Sequence, residues 1–260
     1  MEICVLGSGS SGNCTYVATG DTRVLIDAGL GYSDTCNRLD KIGVSPNTLS
    51  GVLLTHHHAD HCKSADAIQR RHDAPLFANK GTTSNIKNLA KTTNKVWTNF
   101  ESCSPFTVGS LLVEAFPLQH DAADTVGFVL TDGSIRLGVA TDLGTITPIV
   151  EEKLSLCDVL ILETNYDPVK LDNSGRPRSR IARIRGPKGH LSNEKAAELL
   201  TRLLCPRLRN VFMAHRSSDC NTPFLAEEAL EAVLQKAGRE DIRLMHTHSD
   251  AISEIIEISA

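Results

Sequence analysis

The 260-residue sequence has no long apolar segment. No run approaches the ~18 consecutive apolar residues that indicate a membrane-spanning helix. The first residues also lack the basic start and apolar stretch of a secretory signal. Positive charge is not in excess either, since the formal net charge is −4. We therefore expect neither a membrane protein, nor a secreted protein, nor a generally basic nucleic-acid binder.

Paired cysteine motifs are absent as well, although the chain contains eight cysteines. No C-x-x-C pair and no zinc-ribbon spacing occurs among them. Disulfide scaffolds are typical of small secreted domains, whereas a chain of this length can bury a core without them. We interpret the cysteines as reduced, mostly buried residues of a cytoplasmic protein. They are Cys4, Cys14, Cys36, Cys62, Cys103, Cys157, Cys205 and Cys220.

The overall composition is that of a globular protein, with 41% hydrophobic and 22% charged residues. It excludes disordered, collagen-like and coiled-coil chains, and no linker or fixed repeat divides the sequence. Apolar runs and turn residues predict strands at 2–6, 16–19, 23–27, 51–55, 75–78, 111–116, 125–130, 135–140, 159–162, 210–213 and 242–246. Helices are predicted at 33–42, 63–71, 193–204 and 223–236. This order predicts two mixed sheets covered by helices in a single α/β domain spanning residues 1–260.

A cluster of histidines follows the predicted strand at 51–55. Alternate residues of an extended segment point the same way, so His56 and His58 can converge on one metal ion. Asp60 and His61 would then turn toward a second ion. A histidine-rich tract can also be an adventitious metal patch. The pattern H-x-H-x-D-H at the end of an apolar strand favours a true metal site.

Three further candidates each end an apolar run, namely His120, Asp142 and His215. Taken singly, each is more typical of a capping or surface polar residue. At the ends of neighbouring strands, however, they would reach the same sheet edge as the histidine cluster. The combined set offers seven ligands, enough for two ions that share a carboxylate. His57 receives no role.

Positive charge is concentrated between residues 170 and 190. Seven basic residues and one acidic residue give this segment a net charge of +6. Since the whole chain has a net charge of −4, the rest of it carries −10. Such a strip is typical of a site for an anionic ligand, and a solvated basic loop is the alternative. The basic residues are Lys170, Arg176, Arg178, Arg180, Arg183, Arg185 and Lys188.

The ordered ligand set resembles that of the metallo-β-lactamase superfamily. The resemblance implies an αββα sandwich with a binuclear metal site at one edge. The segments L-G-S-G-S-S-G-N-C-T at 6–15, G-H-L-S-N at 189–193 and N-T-P at 221–223 are similar to the YycJ-like (WalJ-like) branch. Its members are regarded as DNA-processing nucleases implicated in mismatch repair, related in site to tRNase Z and phosphodiesterases. Arg216 and Cys220 depart from the branch pattern, which has Leu and Asn at these positions.

The resemblance also implies roles for the ligands. His56, His58 and His120 would hold the first metal, and Asp60, His61 and His215 the second, with Asp142 between them. Zinc is expected, with manganese and iron as alternatives for this mixed nitrogen and oxygen set. The ions would activate a bridging hydroxide for in-line attack on phosphorus, and Asp60 would orient it. His190 matches a histidine that acts on the leaving group.

The sequence thus predicts a metal-dependent phosphodiesterase, an exonuclease-like enzyme acting on DNA. A metal-dependent acyl hydrolase of the same fold, such as a lactonase, thioesterase or glyoxalase II relative, is the alternative. A binding protein with structural zinc is disfavoured, because structural sites are closed by four ligands. The oligomeric state stays open, a homodimer included. The predicted substrate-binding residues are Asn13, Arg176, Arg178, Arg180, Arg183, Arg185 and Asn221.

Overall fold

The computed structural model describes residues 1–86 and 97–259. Its strands are β1 (Glu2–Gly7), β2 (Cys14–Thr19), β3 (Thr22–Ile26), β4 (Gly51–Leu53), β5 (Leu76–Ala78), β6 (Trp97–Asn99), β7 (Phe106–Val108), β8 (Leu111–Pro117), β9 (Val126–Thr131), β10 (Arg136–Ala140), β11 (Val159–Glu163), β12 (Asn210–Ala214), β13 (Arg243–His246) and β14 (Ile256–Glu257). Its α-helices are α1 (Tyr32–Lys41), α2 (Ala59–Cys62), α3 (Ala65–His72), α4 (Lys80–Asn85), α5 (Pro148–Leu154), α6 (Pro168–Asp172), α7 (Arg178–Arg185), α8 (Asn193–Leu203) and α9 (Pro223–Ala237). No helix of these ranges is long and apolar enough to cross a membrane.

The described strands form two seven-stranded sheets, ordered β14-β1-β2-β3-β4-β5-β6 and β13-β12-β11-β10-β9-β8-β7. Each sheet is mixed. In the first, β1 to β3 pair antiparallel and β3 to β6 pair parallel. In the second, β7 to β10 pair antiparallel and β10 to β13 pair parallel. The prediction of two mixed sheets flanked by helices is confirmed.

The alternation of side chains along buried strands explains the four layers. In β11, Val159 and Ile161 face the core between the two sheets, while Leu160 and Leu162 face the opposite side. Helices α8 and α9 cover that outer face with the leucines of their apolar stripes. Helices α1 and α3 cover the outer face of the first sheet in the same way. The resulting order is helix, sheet, sheet, helix.

Some elements differ from the prediction. The predicted helix at 63–71 is α3, at Ala65–His72, and a separate helix of four residues, α2, precedes it and contains the end of the histidine cluster. The basic strip forms helix α7, which was not predicted because it has no buried residue and therefore no apolar stripe. Strands β6 and β14, with three and two residues, were also missed. They are too short to show an alternating pattern.

Candidate metal centre

The predicted ligands lie just beyond the ends of strands of both sheets: His56 follows β4, His120 follows β8, Asp142 follows β10 and His215 follows β12. Asp27 follows β3, Asp142 follows β10 and His215 follows β12, each with a left-handed backbone, at φ values of 62°, 60° and 52°. Residues other than glycine adopt this conformation at a cost of order 1 kcal/mol or more, and such residues cluster at functional sites. The turn that follows each strand therefore directs a polar side chain to one common edge.

A cavity of about 470 Å³ opens at this edge. His56 and His61 lie fully buried beside it. The predicted residues that line the cavity are His58, Asp60, His120, Asp142, His190, His215, Arg176, Arg180 and Arg183. The structure thus brings the predicted ligands, the additional histidine and three of the five predicted arginines to one place.

The first triad consists of His56, His58 and His120, whose ligand atoms lie within 4.8 Å of one another. His120 donates from Nδ1 to the carbonyl of Gly189 at 3.1 Å, which leaves Nε2 for the triad. His56 uses Nδ1 in a 3.0 Å contact with the Thr55 hydroxyl. Its Nε2 is buried and has no hydrogen-bond partner among the described residues. A buried imidazole nitrogen left in this way fits a metal ligand.

The second triad consists of Asp60, His61 and His215, whose ligand atoms also lie within 4.8 Å of one another. His61 donates from Nδ1 to Asp27 at 2.7 Å, so its Nε2 faces the cavity side. His215 contacts the Glu163 carboxylate with Nδ1 at 2.8 Å. The Nε2 atom of His215 is buried without a hydrogen bond in the described chain, and Asp60 Oδ2 is 3.6 Å from it. The second triad therefore also fits a metal ion.

Asp142 lies between the two triads. Its Oδ2 is 2.9 Å from His61 Nε2, and its Oδ1 is 3.5 Å from His120 Nε2. Burial opposes ionisation of this carboxyl, but the charges of His215 and His61 outweigh burial and hold its pKa well below the usual range. An ionised carboxylate with one oxygen toward each triad is what a shared ligand requires.

The protonation of the histidines follows from their surroundings. Burial lowers the pKa of His56 well below its usual value, so this ring is neutral, as a metal ligand must be. Burial also disfavours the charged form of His215, but Asp142, Asp60 and Glu163 outweigh it and raise its pKa to about 10. The carboxylates around the second triad therefore attract positive charge, and a divalent cation would take the place of these protons.

Two buried acids that were not predicted from the sequence, Glu163 and Asp27, orient the histidines. Oε1 of Glu163 accepts from Nδ1 of His190 at 2.9 Å and of His215 at 2.8 Å. Its Oε2 accepts from the Leu191 amide at 2.9 Å. Asp27 holds His61 in the same way. Both acids end apolar strands, V-L-I-L-E and V-L-I-D, which is the signal that identified the ligands themselves.

Asp27 offers a direct test of this orientation. Its Oδ1 also accepts from the Thr55 amide at 2.9 Å, so the carboxylate is fixed on both sides. We expect Asp27→Asn to lower metal affinity by about 10- to 100-fold, because the partner that orients His61 is weakened. Competition with a coloured chelator measures the affinity. The exposed Asp21→Asn is the matched control, and unchanged affinity in a folded Asp27→Asn protein would contradict the role.

Two predicted substrate-binding side chains, Asn13 and Asn221, lie outside the lining of the cavity. Asn13 is buried, and its amide contacts the Asp60 carbonyl and His61 Nε2 at 3.3 and 3.0 Å. Asn221 is buried too and bonds to the Thr164 carbonyl and to Asn193. Neither lines the cavity. These amides brace the loops around the ligands, since buried polar groups must find partners.

Only three of the five predicted arginines lie at the cavity. Arg176, Arg180 and Arg183 line the cavity, whereas Arg178 and Arg185 do not. Arg185 pairs with Asp172 at 2.8 Å on the outer side. The strip is therefore only partly directed at the ligands.

Comparison with known proteins shows the family to which the chain belongs. The family model described as "Beta-lactamase superfamily domain" matches residues 22–213. Exodeoxyribonuclease YycJ of Bacillus anthracis is 30% identical over 240 residues, which cover 92% of this chain and 90% of YycJ. Exodeoxyribonuclease WalJ of Streptococcus pneumoniae (serotype 2, strain D39) is 30% identical over 265 residues, covering 99% and 98% of the two chains.

Solved structures agree in fold. The metallo-β-lactamase fold protein YhfI of Bacillus subtilis superposes with a TM-score of 0.74 at 16% identity, covering 96% of this chain and 98% of YhfI. The short form of human tRNase Z gives a TM-score of 0.67 at 15% identity, with 100% of both chains covered. The sequence-based resemblance is therefore confirmed. The chain belongs to the β-lactamase superfamily of metal-dependent hydrolases, in the family of YycJ and WalJ.

Proposed function

We propose that the protein is a binuclear metal-dependent phosphodiesterase that degrades DNA from an end. One observation carries the proposal: two ligand triads around Asp142 share a cavity with His190 and three arginines. The names of the YycJ and WalJ relatives support DNA as substrate and exonucleolytic action. An acyl hydrolase would use the same ligands but has little need for the arginines.

The residues fit two divalent ions. His56, His58 and His120 would hold one, Asp60, His61 and His215 the other, with Asp142 as the shared ligand. Imidazole and carboxylate ligands suit zinc, and manganese or iron are the alternatives. Bound ions would supply a nucleophilic water and neutralise charge on the phosphate. Asp60, at the cavity wall, would orient the attacking oxygen.

His190 is suited to act on the leaving oxygen. Glu163 binds its Nδ1, which leaves Nε2 as the ring nitrogen available at the cavity. Burial disfavours a charged His190, but the charge and hydrogen bond of Glu163 outweigh burial and raise its pKa. A protonated imidazole beside the reacting phosphate can donate its proton to the departing oxygen.

The arginines give the cavity its preference for phosphate. Arg176 pairs with Asp219 at 2.9 Å, and Arg183 pairs with Asp121. The Arg180 guanidinium lines the cavity and has no carboxylate partner within residues 1–86 and 97–259. It can therefore bind a substrate phosphate without first breaking an ion pair. Planar guanidinium groups bind phosphate oxygens in pairs.

Cleavage of end-labelled nucleic acid tests the function. We expect the metal-loaded protein to release short products from 5′- or 3′-labelled DNA, with Zn²⁺ or Mn²⁺ added. Single- and double-stranded DNA and RNA are compared, and the Asp142→Asn variant serves as the inactive control. Uncut DNA together with hydrolysis of a lactone or thioester would replace the proposal with the acyl hydrolase.

Three further expectations, on domain number, location and oligomeric state, belong to this proposal. The shared core between the sheets supports a single domain over residues 1–260. All eight cysteines lie in the described part of the chain as free thiols, which supports a reducing, cytoplasmic location. Formation of a homodimer is tested by light scattering at enzyme assay concentrations.

A further inference from the structure

Asp121 lines the cavity, but it is neither a candidate metal ligand nor a predicted substrate-binding residue. Asp121 follows His120 in the chain and belongs to neither triad. Its Oδ1 is 3.1 Å from His120 Nε2 and 4.0 Å from His58 Nε2. Its Oδ2 accepts from Arg183 Nε at 2.7 Å and from Nη2 of the same guanidinium. Since a carboxylate repels phosphate, its presence in this cavity requires an explanation.

Helix α7 is weakly held by apolar contacts. It buries no residue, and only Ile181 and Ile184 pack partly against a small cluster of Tyr166, Leu171 and Cys220. Arg183 and Ile184 follow Arg180 by three and four positions, so the three side chains lie on one face of α7. Together they line the cavity. Their position relative to the triads therefore depends on polar contacts as well.

The Arg183–Asp121 pair is such a contact. It joins α7 to the loop between β8 and β9, which also carries His120 of the first triad. A guanidinium has five N–H donors, and Asp121 engages only Nε and Nη2. The Nη1 edge is left to bind a phosphate oxygen.

We propose that Asp121 is a positioning residue that holds the Arg183 guanidinium beside the first triad, where it binds the phosphate of the substrate. The inference rests on the proposed phosphodiesterase function. Asp121 acts through Arg183, and the charges of the two side chains cancel within the pair. Because the Arg183 side chain is already held in place, its ordering costs less free energy when the substrate binds.

A second ion pair of the same helix provides a matched control. Arg185 of α7 pairs with Asp172 at 2.8 Å, and neither residue lines the cavity. The Asp172 side chain is 56% exposed, against 27% for Asp121. An effect specific to Asp121 should not appear in Asp172→Ala.

The test is a double-mutant cycle on the metal-loaded, full-length protein. The variants are Asp121→Ala, Arg183→Gln and their combination, assayed with end-labelled DNA. We expect each single variant to lower kcat/KM by about tenfold, the size of one charge-assisted hydrogen bond. The double variant should fall no further, because Asp121 works only through Arg183. Asp121→Asn, which keeps a hydrogen-bond acceptor, should recover part of the loss.

Other results would overturn the inference. A higher kcat/KM in Asp121→Ala would show that the carboxylate only repels substrate. A further fall in the Arg183→Gln background, with a lower metal content by elemental analysis, would place Asp121 at the metal instead. Asp121→Asn supplies the comparison if the alanine variant does not fold. Failure of the wild type to cut DNA would reject the proposed function itself, whereas additive losses in an active enzyme reject only this inference.

Discussion

Asp142→Ala is expected to lower kcat by about 10³-fold or more and to reduce the metal content of the protein. The carboxylate lies between both triads, 2.9 Å from His61 Nε2 and 3.5 Å from His120 Nε2. Its loss removes a ligand from both metal positions and leaves an excess of positive charge among the histidines. Metal ions contribute several kcal/mol of transition-state stabilisation, which corresponds to a factor of this size. Turnover of end-labelled DNA and elemental analysis measure the two effects.

The surface variant Asp40→Ala serves as control, since this exposed residue lies on α1 outside the cavity. It should retain full metal content and activity. A chelator should inactivate the wild type, and added Zn²⁺ or Mn²⁺ should restore it. Two equivalents of metal and normal turnover in folded Asp142→Ala would contradict a shared ligand.

The clustering of the candidate ligands was predictable because its signal is local. His56 and His58 alternate after an apolar strand, and the structure places both in the same triad, as the alternation predicts. Asp60 and His61 lie in the other triad. The two sheets were predictable for the same reason, since their buried strands are short apolar runs that end at turns.

The orienting acids were missed because their partners are distant in the sequence. Glu163 meets His190 across 27 residues, and Asp27 meets His61 across 34. Nothing in the local pattern distinguishes an acid that binds a metal from one that binds a ligand histidine. Only the topology, which brings the strand ends to one edge, decides between these roles.

The substrate-binding role predicted for Asn13 and Asn221 depended on the resemblance. Both residues lie in segments that carry it, at 6–15 and 221–223. In the structure their amides bond to backbone carbonyls and are buried. Sequence position alone does not show whether an amide faces a cavity or braces the loop that forms it.

His190→Ala is the second variant with a large expected effect. Its kcat for DNA should fall by 10²- to 10⁴-fold, the usual contribution of a general acid. KM should change little, because three arginines and the metal ligands still line the cavity. Single-turnover cleavage of end-labelled DNA separates this loss from slow product release. His72→Ala is the matched control, since His72 bonds to Tyr32 and Asn47 outside the cavity.

The leaving group distinguishes proton donation from other roles of His190. A p-nitrophenyl phosphodiester releases a good leaving group that needs little protonation, so His190→Ala should affect it much less than DNA. Equal losses on both substrates would contradict proton donation and indicate that His190 stabilises charge on the phosphate instead. A loss that is large on DNA and small on the activated ester identifies His190 as the acid of the reaction.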